Sequence, residues 1–180
     1  MYPIRPLRPT HPLGTEVAVA MEQIRILVVD DHRVMREGLR ALLETEKDIT
    51  VVGEAETGRQ AVQLAKQLKP SVVIMDIAMP VLNGLEATRQ ITRDVPTTKI
   101  LVLSAYSDGP SVQKAVEAGA AGYLLKETAV ADVLTALHEL KNGQLFLSPA
   151  IPRWIRDECR EAQRNGPKSR KPTGPDDTGC

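Results

Sequence analysis

Short apolar runs of strand length alternate along the chain with stretches whose apolar residues follow helical spacing. Five such runs are rich in Val, Ile and Leu, and they lie at 24–29, 49–52, 72–75, 100–103 and 123–125. Within each run the apolar residues are largely continuous. Continuous runs of this length are typical of strands buried on both faces of a parallel sheet. The pattern therefore predicts five parallel strands.

The stretches between and after the runs predict five amphipathic helices. In the first, Met35, Leu39, Leu42 and Leu43 follow the spacing i, i+4, i+7 and i+8. Similar stripes lie at 61–68, 85–91, 112–119 and 130–137, and the stripe at 85–91 is weaker. Capping signals agree with this division: Thr57 with Gln60, Asn83 with Glu86, Pro110 in the first turn of the fourth helix, and Gly143 after the fifth.

Strands and helices that alternate in this way form a doubly wound α/β sheet with helices on both faces. Periodicity alone does not give the order of the strands. The common solution for five strands is the flavodoxin-like order 2-1-3-4-5, and we expect it here.

The two ends of the chain differ from this core. Residues 1–20 hold a proline at every third position from Pro3 to Pro12, which places the prolines on one face of a polyproline II helix. An aromatic-lined groove could bind such a segment, but we expect a disordered leader, with Met21 as an alternative start. Residues 165–180 lack apolar periodicity, so we expect a disordered tail or linker there.

Composition excludes several classes of protein. The 180 residues contain 23 Lys and Arg and 23 Asp and Glu, and a net charge of +0 argues against a strongly basic nucleic-acid module. With one Trp, three Tyr and one Phe, a stacking platform for single-stranded nucleic acid is not expected. No stretch has the length and apolarity of a membrane span. Two cysteines without a disulfide framework favour a reducing compartment, and we expect a cytoplasmic location.

Polar residues follow four of the five predicted strands. Asp30 and Asp31 follow the first strand, Asp76 the third, Ser104 the fourth and Lys126 the fifth. Open α/β sheets bind ligands outside the carboxyl ends of their strands, so we expect these side chains to form one site. An acidic loop cluster held by one lysine, without catalysis, is the alternative.

Three carboxylates about 4–5 Å apart repel one another by a few kcal/mol per pair at an effective dielectric constant near 20. Without a partner, one of them would take up a proton. A divalent cation removes the repulsion, and an all-oxygen site suits Mg²⁺ or Mn²⁺. A cation beside a carboxylate, a hydroxyl and an ammonium group suits phosphoryl transfer, in which a carboxylate can be the nucleophile.

The motifs that hold these residues resemble the receiver domain of two-component response regulators, over about residues 22–147. The matching segments are ILVVDDH at 26–32, MDIAMP at 75–80 with Asn83 and Gly84, LSA at 103–105, and GYLLK at 122–126. Asp30, Asp31 and His32, with Arg36, Gly38 and Leu39, are similar to the NarL/FixJ (LuxR-type) subclass, as is Glu127 where many receivers have proline. The resemblance implies a CheY-like fold.

The resemblance also implies roles for the acidic positions. Asp76 would be the phosphoacceptor. Asp31 would bind Mg²⁺ directly, Asp30 would bind it largely through water, and the backbone carbonyl of Ala78 would complete the protein ligands. We expect His32 to be a solvent-facing residue at the start of the first helix, rather than a metal ligand or a phosphate relay.

At the other strand ends, the resemblance implies a phosphoryl-dependent switch. Ser104 would hydrogen-bond one phosphoryl oxygen, and Lys126 would pair with another. Tyr123 would be the aromatic residue that repacks when Ser104 moves, although a half-buried strand aromatic is the alternative. Tyr106 could shield the phosphoryl group. The surface of the fourth and fifth helices would then change, and partners would contact that surface.

The resemblance further implies the partners. A sensor histidine kinase would donate the phosphoryl group from a phosphohistidine, small acyl phosphates could substitute for it, and the chain could form a homodimer. No membrane contact and no small-molecule cofactor are expected. The chain would not be a conventional enzyme, because its chemistry is limited to its own phosphorylation and dephosphorylation.

The expected domains are the leader at 1–20, the receiver at 21–147, a linker helix at 148–164 and the tail at 165–180. Regulators of the NarL/FixJ type generally bind DNA through a C-terminal helix-turn-helix domain, and this chain shows none, because 148–164 predicts one helix and that motif needs two. We therefore expect either the regulatory part of a transcriptional regulator or a stand-alone receiver acting by protein contacts.

Two other classes share parts of the pattern. An aspartyl-phosphate phosphatase also places Asp and Lys at strand ends, but its nucleophile usually opens an Asp-x-Asp motif, and Ala78 replaces the second acid here. A flavodoxin-like cofactor module needs a phosphate-binding loop after the first strand. Asp30 and Asp31 occupy that loop and would repel a phosphate.

Overall fold

The protein, represented by a computed structural model, is described here for residues 23–165. Within these residues six parallel strands form one sheet in the order β2-β1-β3-β4-β5-β6. The strands are β1 Ile24–Val29, β2 Ile49–Ala55, β3 Val72–Asp76, β4 Lys99–Ser104, β5 Gly122–Leu125 and β6 Phe146–Leu147. The predicted order of the first five strands is confirmed, and β6 adds a short strand beside β5.

The helices cover both faces of the sheet, as predicted. They are α1 Arg33–Leu43, α2 Gly58–Leu68, α3 Gly84–Asp94, α4 Gly109–Glu117, α5 Ala129–Lys141 and α6 Arg153–Asn165, and a short 3₁₀ helix, Lys126–Thr128, precedes α5. One core packs α1 and α5 against the sheet, and the other packs α2, α3, α4 and α6. Successive strand residues point to opposite faces, so Ile26 and Val28 lie in the first core and Leu27 and Val29 in the second.

The predicted capping residues are found where expected. The side chain of Thr57 accepts a hydrogen bond from the backbone N–H of Gln60, and Asn83 accepts one from Glu86. Pro110 lies in the first turn of α4. Gly143 follows α5 with a φ of +76°, a conformation that other residues rarely adopt. These caps set where the helices begin and end relative to the site.

The loop after β3 passes very close to the start of α3. A Cβ atom on Gly84 would lie 2.0 Å from the carbonyl oxygen of Asp76, so only glycine fits there. The Gly84 N–H donates to the carbonyl of Ile77 at 3.0 Å and closes the loop. This close approach fixes the backbone on which the Asp76 side chain stands.

The predicted leader at 1–20 lies outside the described residues, as does the predicted tail at 165–180 except for Asn165, the last residue of α6. In the part of the chain that the structure covers, no helix is long and apolar enough to cross a membrane. The segment 148–164 contains α6, whose Ile155 and Cys159 are buried, whereas Trp154 on the same helix is 67% exposed.

Candidate functional site

Three carboxylates meet at the carboxyl end of the sheet, because β1 and β3 are neighbouring strands that end at the same edge. Asp30 follows β1 and is fully buried, Asp76 ends β3 and is 1% exposed, and the side chain of Asp31 is partly exposed. One ligand atom from each of them and from His32 lies within 4.8 Å of the others. We call Asp30, Asp31 and Asp76, together with Lys126, the acidic cluster.

Lys126 enters the acidic cluster from the end of β5. Its Nζ atom lies 3.1 Å from Oδ2 of Asp30 and 3.1 Å from Oδ2 of Asp76. Burial of the ammonium group acts to lower its pKa, but the hydrogen bonds and charges of Asp76 and Asp30 outweigh that effect, so the pKa of Lys126 is raised. The lysine is therefore held in its charged form between two acids.

The negative charge of Asp76 is only partly offset by its surroundings. Burial, and then the charge of Asp30, raise the pKa of its carboxyl group, while Lys126 and the backbone N–H of Ala78 offset part of the rise. Its Oδ1 atom accepts a hydrogen bond from that N–H at 3.1 Å. Its Oδ2 atom is buried, and its one contact among the described residues is the ion pair with the ammonium group of Lys126. Such an atom is available to an additional partner.

The donor set fits a hard divalent cation. The oxygens of three carboxylates converge, and the single lysine leaves an excess of negative charge. Mg²⁺ and Mn²⁺ favour such oxygen ligands, usually with several waters. The predicted ligands Asp30, Asp31 and Asp76 are thus brought together, while ligation by the carbonyl of Ala78 stays a prediction.

Ser104 and Tyr123 are linked through the loop that follows β4. The buried Ser104 Oγ accepts a hydrogen bond from the backbone N–H of Tyr106 at 3.0 Å. The hydroxyl of Tyr123 donates to the carbonyl of the same Tyr106 at 2.8 Å. Burial raises the pKa of the Tyr123 hydroxyl, with a partial offset from Ser104, so the phenol stays protonated and remains a donor. Tyr123 itself is fully buried.

His32 is the N-cap residue of α1, and its side chain is 69% exposed. Its Nδ1 atom also lies 3.0 Å from Oδ1 of Asp30 and 2.9 Å from Oδ1 of Asp31. The ring therefore faces solvent on one side, as expected, and contacts the acidic cluster on the other. The sequence pattern of the first helix gave no indication of this second contact.

Arg36 is a residue whose contacts with the site the sequence did not reveal. It is buried on the inner face of α1 and donates to the backbone carbonyl of Asp30 at 2.7 Å and to Glu56 at 2.6 Å. Nε lies 3.5 Å from Glu54, which also pairs with Arg40 at 2.9 Å. We call Arg36, Arg40, Glu54 and Glu56 the arginine cluster. The signal available in the sequence was an arginine in line with Leu39 and Leu43 on the buried stripe of a helix.

Comparison with known proteins agrees with this geometry. The family model of the response regulator receiver domain matches residues 26–138. The transcriptional regulatory protein LiaR of Bacillus subtilis (strain 168) is 39% identical over 142 residues, which are 79% of this chain and 67% of LiaR. The chain spans about two thirds of the length of the curated relatives it matches.

Solved structures give the same assignment. A LuxR-family two-component response regulator from Aurantimonas sp. SI85-9A1 has a TM-score of 0.71 and 35% identity, covering 78% of this chain and 99% of that one. A structure of two RcsB dimers bound to two parallel DNAs has a TM-score of 0.68 and 26% identity, covering 74% of this chain and 68% of that one. The chain belongs to the response regulator receiver domain family, and its relatives are LuxR-family regulators of two-component systems.

Proposed function

We propose that the chain is the phosphoacceptor receiver of a two-component phosphorelay, and that Asp76 accepts the phosphoryl group. The observation that carries the proposal is the buried Oδ2 atom of Asp76, which lies 3.1 Å from the ammonium group of Lys126 and has no other partner among the described residues. A carboxylate oxygen beside a fixed cation can form an acyl phosphate, because the cation offsets the charge of the incoming phosphoryl group.

The transfer step balances simply. A carboxylate oxygen of Asp76 forms a bond to phosphorus while the bond from phosphorus to an imidazole nitrogen of the sensor histidine kinase breaks. The imidazole keeps the electron pair and takes a proton from solvent. Lys126 then pairs with a phosphoryl oxygen instead of the Asp76 carboxylate, and it keeps its second contact with Asp30. Acetyl phosphate can replace the kinase as donor.

Asp30, Asp31, Asp76 and the carbonyl of Ala78 would hold Mg²⁺ or Mn²⁺. The ion would supply positive charge that offsets the charge on the phosphoryl oxygens during transfer. The chain itself must hold the three acids close together before the ion binds. Lys126 and Arg36 both contribute to this. Lys126 contacts the carboxylates of Asp30 and Asp76, and Arg36 holds the backbone carbonyl of Asp30.

Ser104 and Tyr123 would convert the transfer into a change of shape. Ser104 Oγ accepts from the N–H of Tyr106, and its own O–H would donate to a phosphoryl oxygen. Movement of Ser104 toward the phosphoryl group would break its bond with the N–H of Tyr106, whose carbonyl is held by Tyr123. The loop between β4 and α4 would then take a second arrangement.

The output would be control of transcription. LiaR is named a transcriptional regulatory protein, and the solved RcsB structure holds dimers on DNA. We propose that this chain is the regulatory part of such a transcriptional regulator, that it forms a homodimer, and that DNA is bound through a helix-turn-helix domain that lies outside the described residues 23–165.

The test is phosphorylation of the chain with acetyl phosphate and Mg²⁺, followed by intact-mass measurement. The expected adduct adds about 80 Da, the mass of one phosphoryl group, and is acid-labile. Asp76→Asn should abolish it, because an amide oxygen does not form the acyl phosphate. Asp94→Asn, which removes an exposed acid far along α3, should leave the adduct unchanged. The same adduct on the Asp76→Asn chain would overturn the assignment.

A further inference from the structure

The helix α6 covers an apolar face of α4. Ile151, Ile155 and Cys159 are each at most 4% exposed, and they belong to the same core as Val112 and Ala115 of α4. Ile155 and Cys159 are one helical turn apart, so a single stripe of α6 is buried, and apart from Trp154 and Ala162 the rest of the helix is polar. The surface of α4 that partners were expected to contact is therefore occupied by the chain itself.

The contact between the two helices reaches the first residue of α4. A methyl group at Gly109 would lie 3.5 Å from the Trp154 ring and 3.7 Å from the side chain of Ile155. Gly109 directly follows the loop that carries Tyr106, whose N–H is bound by Ser104. The docked start of α6 is thus next to the loop that would move when Ser104 turns toward a phosphoryl group.

The segment before α6, which contains Ser148, is held to the sheet and not to α4. The buried Ser148 donates its backbone N–H to the carbonyl of Tyr123 at 2.9 Å, and its hydroxyl lies 3.1 Å from Asp132 and 3.1 Å from Thr128. These partners belong to β5, to α5 and to the turn between them. The segment just before α6 is therefore fixed to the sheet and to α5, whereas the start of α4 is joined to the loop after β4.

From this arrangement we infer that phosphorylation of Asp76 loosens α6 from α4, so that α6 is the first element outside the site to respond to the phosphorylated state. The inference rests on the proposed function. A shift of the loop at Tyr106 displaces the start of α4, which α6 cannot follow because Ser148 holds it to Tyr123. The displacement falls on the contact at Gly109, Trp154 and Ile155. Release of α6 would expose Ile155 and Cys159 and pass the signal along the chain.

Two natural probes report on this contact. Cys159 is buried in it and is one of only two cysteines, so Cys180→Ser leaves it as the single thiol. Trp154 is the only tryptophan and stands at the edge of the contact. The full chain with Cys180→Ser is incubated with a maleimide, with and without acetyl phosphate and Mg²⁺. Intact mass then gives the phosphoryl adduct and the maleimide label on the same molecule.

We expect phosphorylated molecules to be labelled at Cys159 about fivefold faster or more, the lower end of typical coupling between linked sites. Asp76→Asn should abolish the acceleration. Ile155→Ala should label fast in both states, because it weakens docking directly, and circular dichroism checks that it is folded. Acrylamide quenching of Trp154 fluorescence should change in parallel.

The outcomes separate the inference from the proposed function. An adduct with faster labelling supports both. An adduct with unchanged labelling and unchanged Trp154 quenching overturns the inference and leaves the phosphoacceptor role intact. An adduct with slower labelling also overturns it, because docking would then be strengthened. Failure to form any adduct removes the proposed function, and the inference with it.

Discussion

The acidic cluster and the arginine cluster lie on either side of the loop that follows β1, and they differ in how their charges balance. The acidic cluster sets three carboxylates against one lysine. The arginine cluster sets two guanidinium groups against two carboxylates, with contacts of 2.6 to 3.5 Å. Asp30 contacts members of both clusters. Its side chain pairs with Lys126, and its backbone carbonyl accepts a hydrogen bond from Arg36.

The difference shows how charge separates a structural site from a functional one. In a balanced cluster each charge meets its opposite, so removal of one partner leaves the others without compensation and destabilises the fold. A cluster with surplus acid raises the energy of the fold and needs a cation or a covalent modification from outside. Removal of one acid from the acidic cluster and of one arginine from the arginine cluster should therefore change the free energy of unfolding in opposite directions.

The largest effect is expected for Arg36→Met. The substitution leaves the buried carbonyl of Asp30 without its donor and removes the cation between Glu54 and Glu56. A buried acceptor without a partner costs about 1–3 kcal/mol. Glu56 is 64% exposed and can be hydrated, so we expect the free energy of unfolding to fall by about 2–3 kcal/mol in urea denaturation.

Arg33→Met is the matched control for that change, since Arg33 lies on the exposed face of the same helix and pairs only with Glu37 among the interactions found in the described residues. Its effect on unfolding should be much smaller. Equal losses for the two variants would show that Arg36 acts as an ordinary surface charge, and the contrast between the clusters would disappear.

The second prediction has the opposite sign. Asp76→Asn should raise the free energy of unfolding by about 1 kcal/mol at pH 7 without divalent cations, because it removes one of the mutually repelling charges. The folded-state pKa of Asp76 is raised, so the native protein takes up a proton as the pH falls and its penalty disappears toward acid pH. The advantage of the variant should therefore shrink between pH 7 and pH 4.5.

Urea denaturation at both pH values measures this trend. Asp94→Asn is the control, because hydrogen bonds from Arg93 and Lys66 lower the pKa of Asp94 to about 2, and its removal should not stabilise the fold. A lower stability of the Asp76→Asn protein at pH 7 would mean that Lys126 outweighs the repulsion and that the acidic cluster is balanced after all.

The smallest effect is expected for Arg40→Gln. Arg40 is half exposed and pairs with Glu54 at 2.9 Å, and exposed pairs contribute below about 1 kcal/mol. Urea denaturation at low and high salt should show a small loss that salt reduces further. A loss as large as that of Arg36→Met would show that the half-exposed Arg40 contributes as much to the stability of the fold as the buried Arg36.

Much of the acidic cluster could be predicted from the sequence, because the topology of the sheet determines which residues meet. Parallel strands place their carboxyl ends at one edge, so residues that follow apolar runs must meet there. Asp30, Asp76 and Lys126 are brought together for this reason alone. The arginine cluster could not be found in the same way. Its contact with the Asp30 carbonyl depends on how α1 packs on the sheet, and no spacing along the chain specifies that packing.

The limits of the strands show a similar division. The strand β2 was predicted to end at residue 52 but continues to Ala55, because its edge position tolerates the partly exposed Glu54. The two-residue β6 lies in a three-residue apolar run at 145–147 that was not predicted as a strand, and it pairs with Gly122 and Tyr123. Pairing of this kind is non-local, so periodicity cannot reveal it.

The order of the strands also governs when the site can exist during synthesis. Lys126 and Asp30 are 96 positions apart in the chain, although their side chains lie 3.1 Å apart. At about 5–20 residues per second, a ribosome needs roughly 3–10 s to go from Asp76 to Lys126. A growing chain therefore carries its acids for several seconds before the ammonium group that offsets them has been made. Competence to accept a phosphoryl group arrives late in translation, with β5.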